Sequence, residues 1–222
     1  MLKKTLLLCC AALAVASCGL DYDGNTRNLY KGSVTDASGN PLEGIPVSVV
    51  MYNSSYSEKA AYTTTDANGN FRLTAARGRN GIPKVVINQA NGAGIGTVPN
   101  VSSVTYHNIN QETLNDYTLN LGNVALASSA NNVQLTISSP SNSIKKLNLL
   151  GKVTNNSIDL DFPIYVSDDS EIYPYNSYYN DVNQIFYVNT NQTLTLRYMD
   201  TSENIHEQQI TVGESNLTIT IQ

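Results

Sequence analysis

From Tyr30 to the C-terminus the apolar residues fall in short runs, each closed by a turn signal, and no window sustains the i, i+3, i+4, i+7 stripe of an amphipathic helix. IPVSVVMY, FRLTA and KVVINQ occupy the first half, and VQLTI, SIDLDFPIYV, QIFYVN and LTITIQ the second. Several alternate with period two: Val133, Leu135 and Ile137, then Ile158, Leu160 and Phe162, then Leu217, Ile219 and Ile221. Such alternation gives a strand one buried and one wet face. The small polar stretch ASSANN separates the two sets. The pattern predicts an all-β chain of two tandem antiparallel β-sandwiches, over residues 30–126 and 131–222. Asp159 and Asp161 alternate with Ile158, Leu160 and Phe162, so both are expected on the solvent face, serving solubility.

Spacing of the runs in 30–126 suggests about seven strands, with Pro41, Pro46 and Pro83 at strand starts, where a missing N–H matters least. The second half reads as immunoglobulin-like. Two turns share one sequence, Thr35-Asp36-Ala37-Ser38-Gly39-Asn40 and Thr65-Asp66-Ala67-Asn68-Gly69-Asn70. Each Asp can accept hydrogen bonds from its own turn, and each Gly can take positive φ. KGSVTDASGNPLEGIPVSV followed by TTTDANGNFRL resembles the carboxypeptidase regulatory-like domain, carried by Gly32, Gly39, Pro41, Leu42, Gly44, Val47 and Val49, then Thr65, Asp66, Gly69, Phe71 and Leu73. That resemblance implies a transthyretin-like β-sandwich used as a non-catalytic accessory fold, common in Bacteroidota surface lipoproteins. It carries over no catalytic residue. Residues 88–115 depart from the pattern, and Gly92, Gly94 and Gly96 are followed by Thr97-Val98-Pro99-Asn100 instead of the helix that a phosphate-binding loop needs.

The N-terminus has Lys3 and Lys4 before an apolar run from Leu6 to Ala16, the profile of a signal peptide over 1–17 and too short to span a bilayer. Val15-Ala16-Ser17-Cys18 resembles a bacterial lipobox, which implies a lipidated Cys18. Buried acyl methylenes contribute about 0.8 kcal/mol each, so several chains would hold the protein on a membrane. Residues 18–29 read as a polar lipidated tether, with Asp21 and Asp23 weakly resembling a surface-export signal. The expected location is the outer membrane, facing the cell surface, with the membrane as partner through the anchor. All three cysteines, Cys9, Cys10 and Cys18, lie in or beside the leader, so the folded part holds neither disulfide nor thiolate site. The formal net charge is −5, and removal of Lys3 and Lys4 makes it more negative, which argues against nucleic acid.

Chemistry has few candidates. His107 and His206 lack Cys, His or acidic partners at metal spacing, so zinc and triad chemistry are poorly supported. Candidates for the carboxylate pair of a glycoside hydrolase are Asp159, Asp161, Asp168, Asp169, Glu171 and Asp181. No cofactor is implied; Asp168, Asp169 and Glu171 are weak calcium candidates, and the Asp66 loop is a poorer one because Arg77 stands where an EF-hand supplies Glu. Tyr173, Tyr175, Tyr178 and Tyr179 crowd one stretch of a chain without tryptophan. With Asn180 and neighbouring amides they could form a glycan- or protein-binding surface, and equally they could pack between the sandwiches. A final reading concerns NLTITIQ, whose low charge leaves an edge strand open to pairing with a protein partner.

Overall fold

The computed structural model describes residues 19–53, 56–89, 97–128, 130, 132–140, 144–160 and 181–221, with backbone only at 140 and 181–183. All regular elements among them are strands, and they enclose two hydrophobic cores.

The first unit contains β1 (Tyr22–Thr35), β2 (Pro46–Tyr52), β3 (Ser57–Thr64), β4 (Asn70–Gly78), β5 (Ile82–Ile87), β6 (Val104–His107) and β7 (Thr118–Ala125). One sheet runs β4-β1-β7 and the facing one β6-β5-β2-β3. Alternation sets the faces: in β4, Phe71, Leu73 and Ala75 point inward while Asn70, Arg72 and Thr74 are exposed. Val34, Val47, Val49, Val85 and Ile87 are fully enclosed between the sheets. Burial of such a side chain contributes about 1.5–3 kcal/mol. Strand β1 begins at Tyr22, inside the stretch expected to be a tether. Tyr22 pairs with Gly78 of β4, and its phenol donates a hydrogen bond to the Glu58 carboxylate on β3.

The second unit contains β8 (Asn132–Pro140), β9 (Ile144–Leu150), β10 (Val153–Thr154), β12 (Asp181–Asn189), β13 (Gln192–Asp200), β14 (Ile205–Val212) and β15 (Leu217–Thr220), and the chain between β10 and β12 forms β11 (Asn156–Asp159). Its sheets run β10-β12-β8-β15 and β14-β13-β9. Val133, Leu135 and Ile137 are buried as the alternation predicts.

The two units share one strand plan. Leaving β11 aside, the first strand of each unit is antiparallel to the fourth and parallel to the last: β1 with β4 and β7, β8 with β12 and β15. In each facing sheet the order also matches, β6-β5-β2 against β14-β13-β9. The β4-β1-β7 and β10-β12-β8-β15 sheets are therefore mixed where antiparallel ones were expected. The last strand crosses between sheets and comes to lie beside the first in the same direction.

Strand β11 corrects the sequence reading. SIDLDFPIYV was placed in the second sandwich, yet β11 pairs parallel with β6 and extends the first unit's sheet to five strands, β11-β6-β5-β2-β3. Ile158 and Leu160 pack on the first core. Asp159, expected in solvent, is 5% exposed. Alternation does give it the face opposite Ile158, but β9 of the second unit covers that face. Asp161 lies outside the described residues.

Candidate functional site

Two neighbouring strands, β9 and β11, contribute a buried polar group. In β9, Lys146 and Asn148 share the face opposite Leu147 and Leu149, and that face meets β11. Lys146 Nζ lies 3.2 Å from Asp159 Oδ2, with both side chains almost fully enclosed. Asn148 imitates a strand partner: its Nδ2 donates to the Asp159 carbonyl at 3.2 Å and its Oδ1 accepts the Asp159 N–H at 3.1 Å. Asn156 Nδ2 donates to the Leu149 carbonyl at 2.9 Å. Side-chain amides thus bond β11 to β9 while its backbone bonds to β6.

His107 stands opposite Asp159 across the β6–β11 register. Burial, and secondarily the Lys84 ammonium, push its pKa down to about 4, with Asp159 opposing them. At neutral pH the imidazole is uncharged. The unfolded chain takes up this proton near pH 6.5 and the folded chain only near 4, so stability is complete above pH 6.5 and falls as the pH drops through that window. We expect up to about 3 kcal/mol of loss by pH 4. Unfolding measured across that range should show it, and His107→Gln should flatten the profile.

His206 also has an acidic partner that sequence spacing does not show. The β13–β14 hairpin brings its Nε2 2.9 Å from Asp200 Oδ2, and its ring stacks on Tyr198 with centroids 4.9 Å apart. The hydrogen bond with His206, together with turn amides, pulls the Asp200 carboxyl down to about 2. No third group joins the pair to make a metal site: among the described residues no cluster of three or more His, Cys, Asp or Glu is placed to hold an ion. Asp66 Oδ1 instead accepts the N–H groups of Asn68 and Asn70, which fits its reading as a structural turn.

Cys18, the calcium candidates Asp168, Asp169 and Glu171, the stretch holding Tyr173, Tyr175, Tyr178, Tyr179 and Asn180, and Gly92, Gly94 and Gly96 all lie outside the described residues. Immediately after that tyrosine stretch, β12 presents Ile185 and Tyr187 to solvent at 49% and 56% exposure.

Two strands away, β15 forms the end of its sheet. The Ile221 N–H donates to the Ser138 carbonyl of β8 at 2.8 Å. Backbone direction alternates along a strand, so the N–H and C=O of Thr218 and Thr220 point away from β8, to the side where no strand pairs among the described residues. Both threonines are exposed, and no charge lies between Leu217 and Ile221.

The first unit, with its strands in the order β4-β1-β7 over β6-β5-β2-β3, has a counterpart among known families. Residues 22–104 match the family model of the bacterial Ig-like domain (group 1). The Ig-like match thus falls on the half whose turns resemble a carboxypeptidase regulatory-like domain. It runs from the first residue of β1 to the first of β6. No curated protein matches the chain.

Among solved structures, the chain is similar to the shaft pilin SpaA of Lactobacillus rhamnosus GG, at 10% identity over 87% of this chain and 96% of the pilin, with a TM-score of 0.30. It is also similar to the tip fimbrial protein Mfa3 of Porphyromonas gingivalis, at 12% identity over 83% and 82% of the two chains, with a TM-score of 0.29. A 9R-lipoxygenase of Cyanothece PCC8801 aligns at 13% identity over 54% of this chain, with a TM-score of 0.31. The alignments span only 20% of that lipoxygenase and 62% of a Rhodococcus opacus 3-chlorocatechol 1,2-dioxygenase. All of these superpositions are loose.

Proposed function

We propose that this chain is a non-catalytic, lipid-anchored surface module that holds a protein partner by strand addition along β15. The carrying observation is the open edge itself, a neutral strand at the end of its sheet with the backbone groups of Thr218 and Thr220 turned outward. An extended partner strand would gain main-chain hydrogen bonds there, and specificity would come from the alternate side chains. The anchor reading rests on Cys18 at the end of the apolar leader. The Ig-like first unit, joined to the second through β11, would act as a spacer between membrane and binding edge. Glycan binding by Tyr173, Tyr175, Tyr178, Tyr179 and Asn180 is the competing reading, favoured by the exposed Tyr187 and Ile185 that follow them.

The test uses cells making the full chain with a photo-cross-linking residue in place of Thr218, and again in place of exposed Tyr62 as control. We expect a protein adduct of discrete mass at 218 and none at 62. Absence of any adduct at 218, or equal adducts at both, removes the edge reading. In parallel, Cys18→Ala should move the protein from the membrane pellet to the soluble fraction; if the variant stays in the pellet, the anchor is wrong.

A further inference from the structure

The outer face of the β4-β1-β7 sheet is on the opposite side of the first core from the sheet that β11 extends. Its register sets side chains in rows. Tyr30 and Val34 of β1 face the core, so Lys31 and Ser33 face out. Across the ladders, Lys31 is directly opposite Arg72 on one side and Asn120 on the other. In the next row Ser33 is opposite Asn70 and Asn123.

Like charges directly opposite one another on a sheet repel. Lys31 and Arg72 take part in no ion pair among the described residues, and no carboxylate occupies these two rows, although the chain carries 18 Asp and Glu. The surface here dips into a shallow, mostly open depression. This depression of about 400 Å³ is lined by Lys31, Arg72, Asn70 and Asn120, with Gly32 and Gly122 contributing no side chains. Gly32 is required for close packing: a Cβ there would come within 2.9 Å of Phe71 Cζ and of the Gly122 carbonyl oxygen. Gly122 sits where β7 is out of register with β1, with φ at 63°. Asn120 Oδ1 accepts the Gly122 N–H at 3.1 Å, which fixes the amide at the rim with its Nδ2 donors unspent by that bond.

We infer that this face is a binding site for an acidic glycan, with Lys31 and Arg72 taking a sugar carboxylate and the Asn70, Asn120 and Ser33 row taking neighbouring hydroxyls. A guanidinium forks onto a carboxylate in a fixed plane, and an ammonium beside it adds charge without geometric demand. A single cation pair set among neutral amides and hydroxyls suits a hydroxylated chain with spaced carboxylates. It does not suit a dense polyanion, which the acidic remainder of the protein would repel. The site is separate from the β15 edge, so either can fail alone.

The experiment titrates the purified full chain in detergent with oligogalacturonate, with the same oligomer methyl-esterified, and with polyglutamate. The acid oligomer should bind and weaken as salt is raised, and the ester should not bind. Lys31→Gln and Arg72→Gln should each weaken binding about tenfold. The double variant should melt no lower than the parent, because a repulsion is removed, and cross-linking at position 218 should be unchanged. The proposal is overturned by no binding of the acid oligomer, by binding that survives both substitutions, by polyglutamate binding at least as tightly, or by a lower melting temperature in the double variant.

Discussion

Replacing Lys146 by Met is expected to destabilise the protein by about 3–5 kcal/mol, because Asp159 stays buried after losing its cation. The pair is 3.2 Å apart, almost sealed from water, and sits where β9 of one unit meets β11 lying in the sheet of the other. The double variant Lys146→Met, Asp159→Leu should recover most of that loss, since a buried ion pair is often no better than an apolar pair of similar volume. Chemical denaturation of the purified proteins measures both. If the single variant is as stable as the parent, the pair does not hold the units together. Because Asn148 and Asn156 bond β11 to β9 independently of the ion pair, the two cores stay coupled in the single variant, and its transition should shift to lower denaturant without splitting.

The second large effect compares two turns of nearly identical sequence. Gly39 and Gly69 have φ of 87° and 74°, and Asp36 and Asp66 accept the same two turn N–H groups. Gly39→Ala should cost about 1–2 kcal/mol, the penalty of a Cβ in the left-handed region. Gly69→Ala should cost about 3–4 kcal/mol, because the added Cβ meets backbone as well. It would run into the Val34 carbonyl oxygen, next to the Val34 N–H that bonds the Gly69 carbonyl at 2.8 Å. Around Gly39 a Cβ meets nothing within 4 Å. Equal losses in the two variants would show that the strand end is free to yield.

A third turn has the same bonds. Asp200 Oδ1 accepts the N–H groups of Ser202 and Asn204 at 2.8 and 2.9 Å, with Glu203 at φ 68° in the glycine position. It escapes a reading by motif because the motif's glycine is missing. What persists is the Asp side chain closing its own turn, which Glu203 tolerates at some backbone strain.

Period-two alternation was enough to identify the strands and their inward faces in β8 and β15, because a residue's face on a strand follows from counting alone. Alternation also gave Asp159 the face opposite Ile158. It could not reveal what covers that face, so solvent was the natural expectation. Lys146 left a faint signal: it shares a face with Asn148 in a strand whose other face is leucine, a polar row that needs a partner if buried.

By itself, then, the sequence determined the all-β class, the turns closed by Asp36 and Asp66, and the neutral run from Leu217 to Ile221. These follow from local rules of spacing, turn chemistry and hydropathy. Only the tertiary structure decided which sheet β11 joins, why Gly69 is constrained and Gly39 is not, and that Lys31 meets Arg72 on an open face. Each of these depends on what lies across a ladder or on top of a sheet, between residues far apart in the chain.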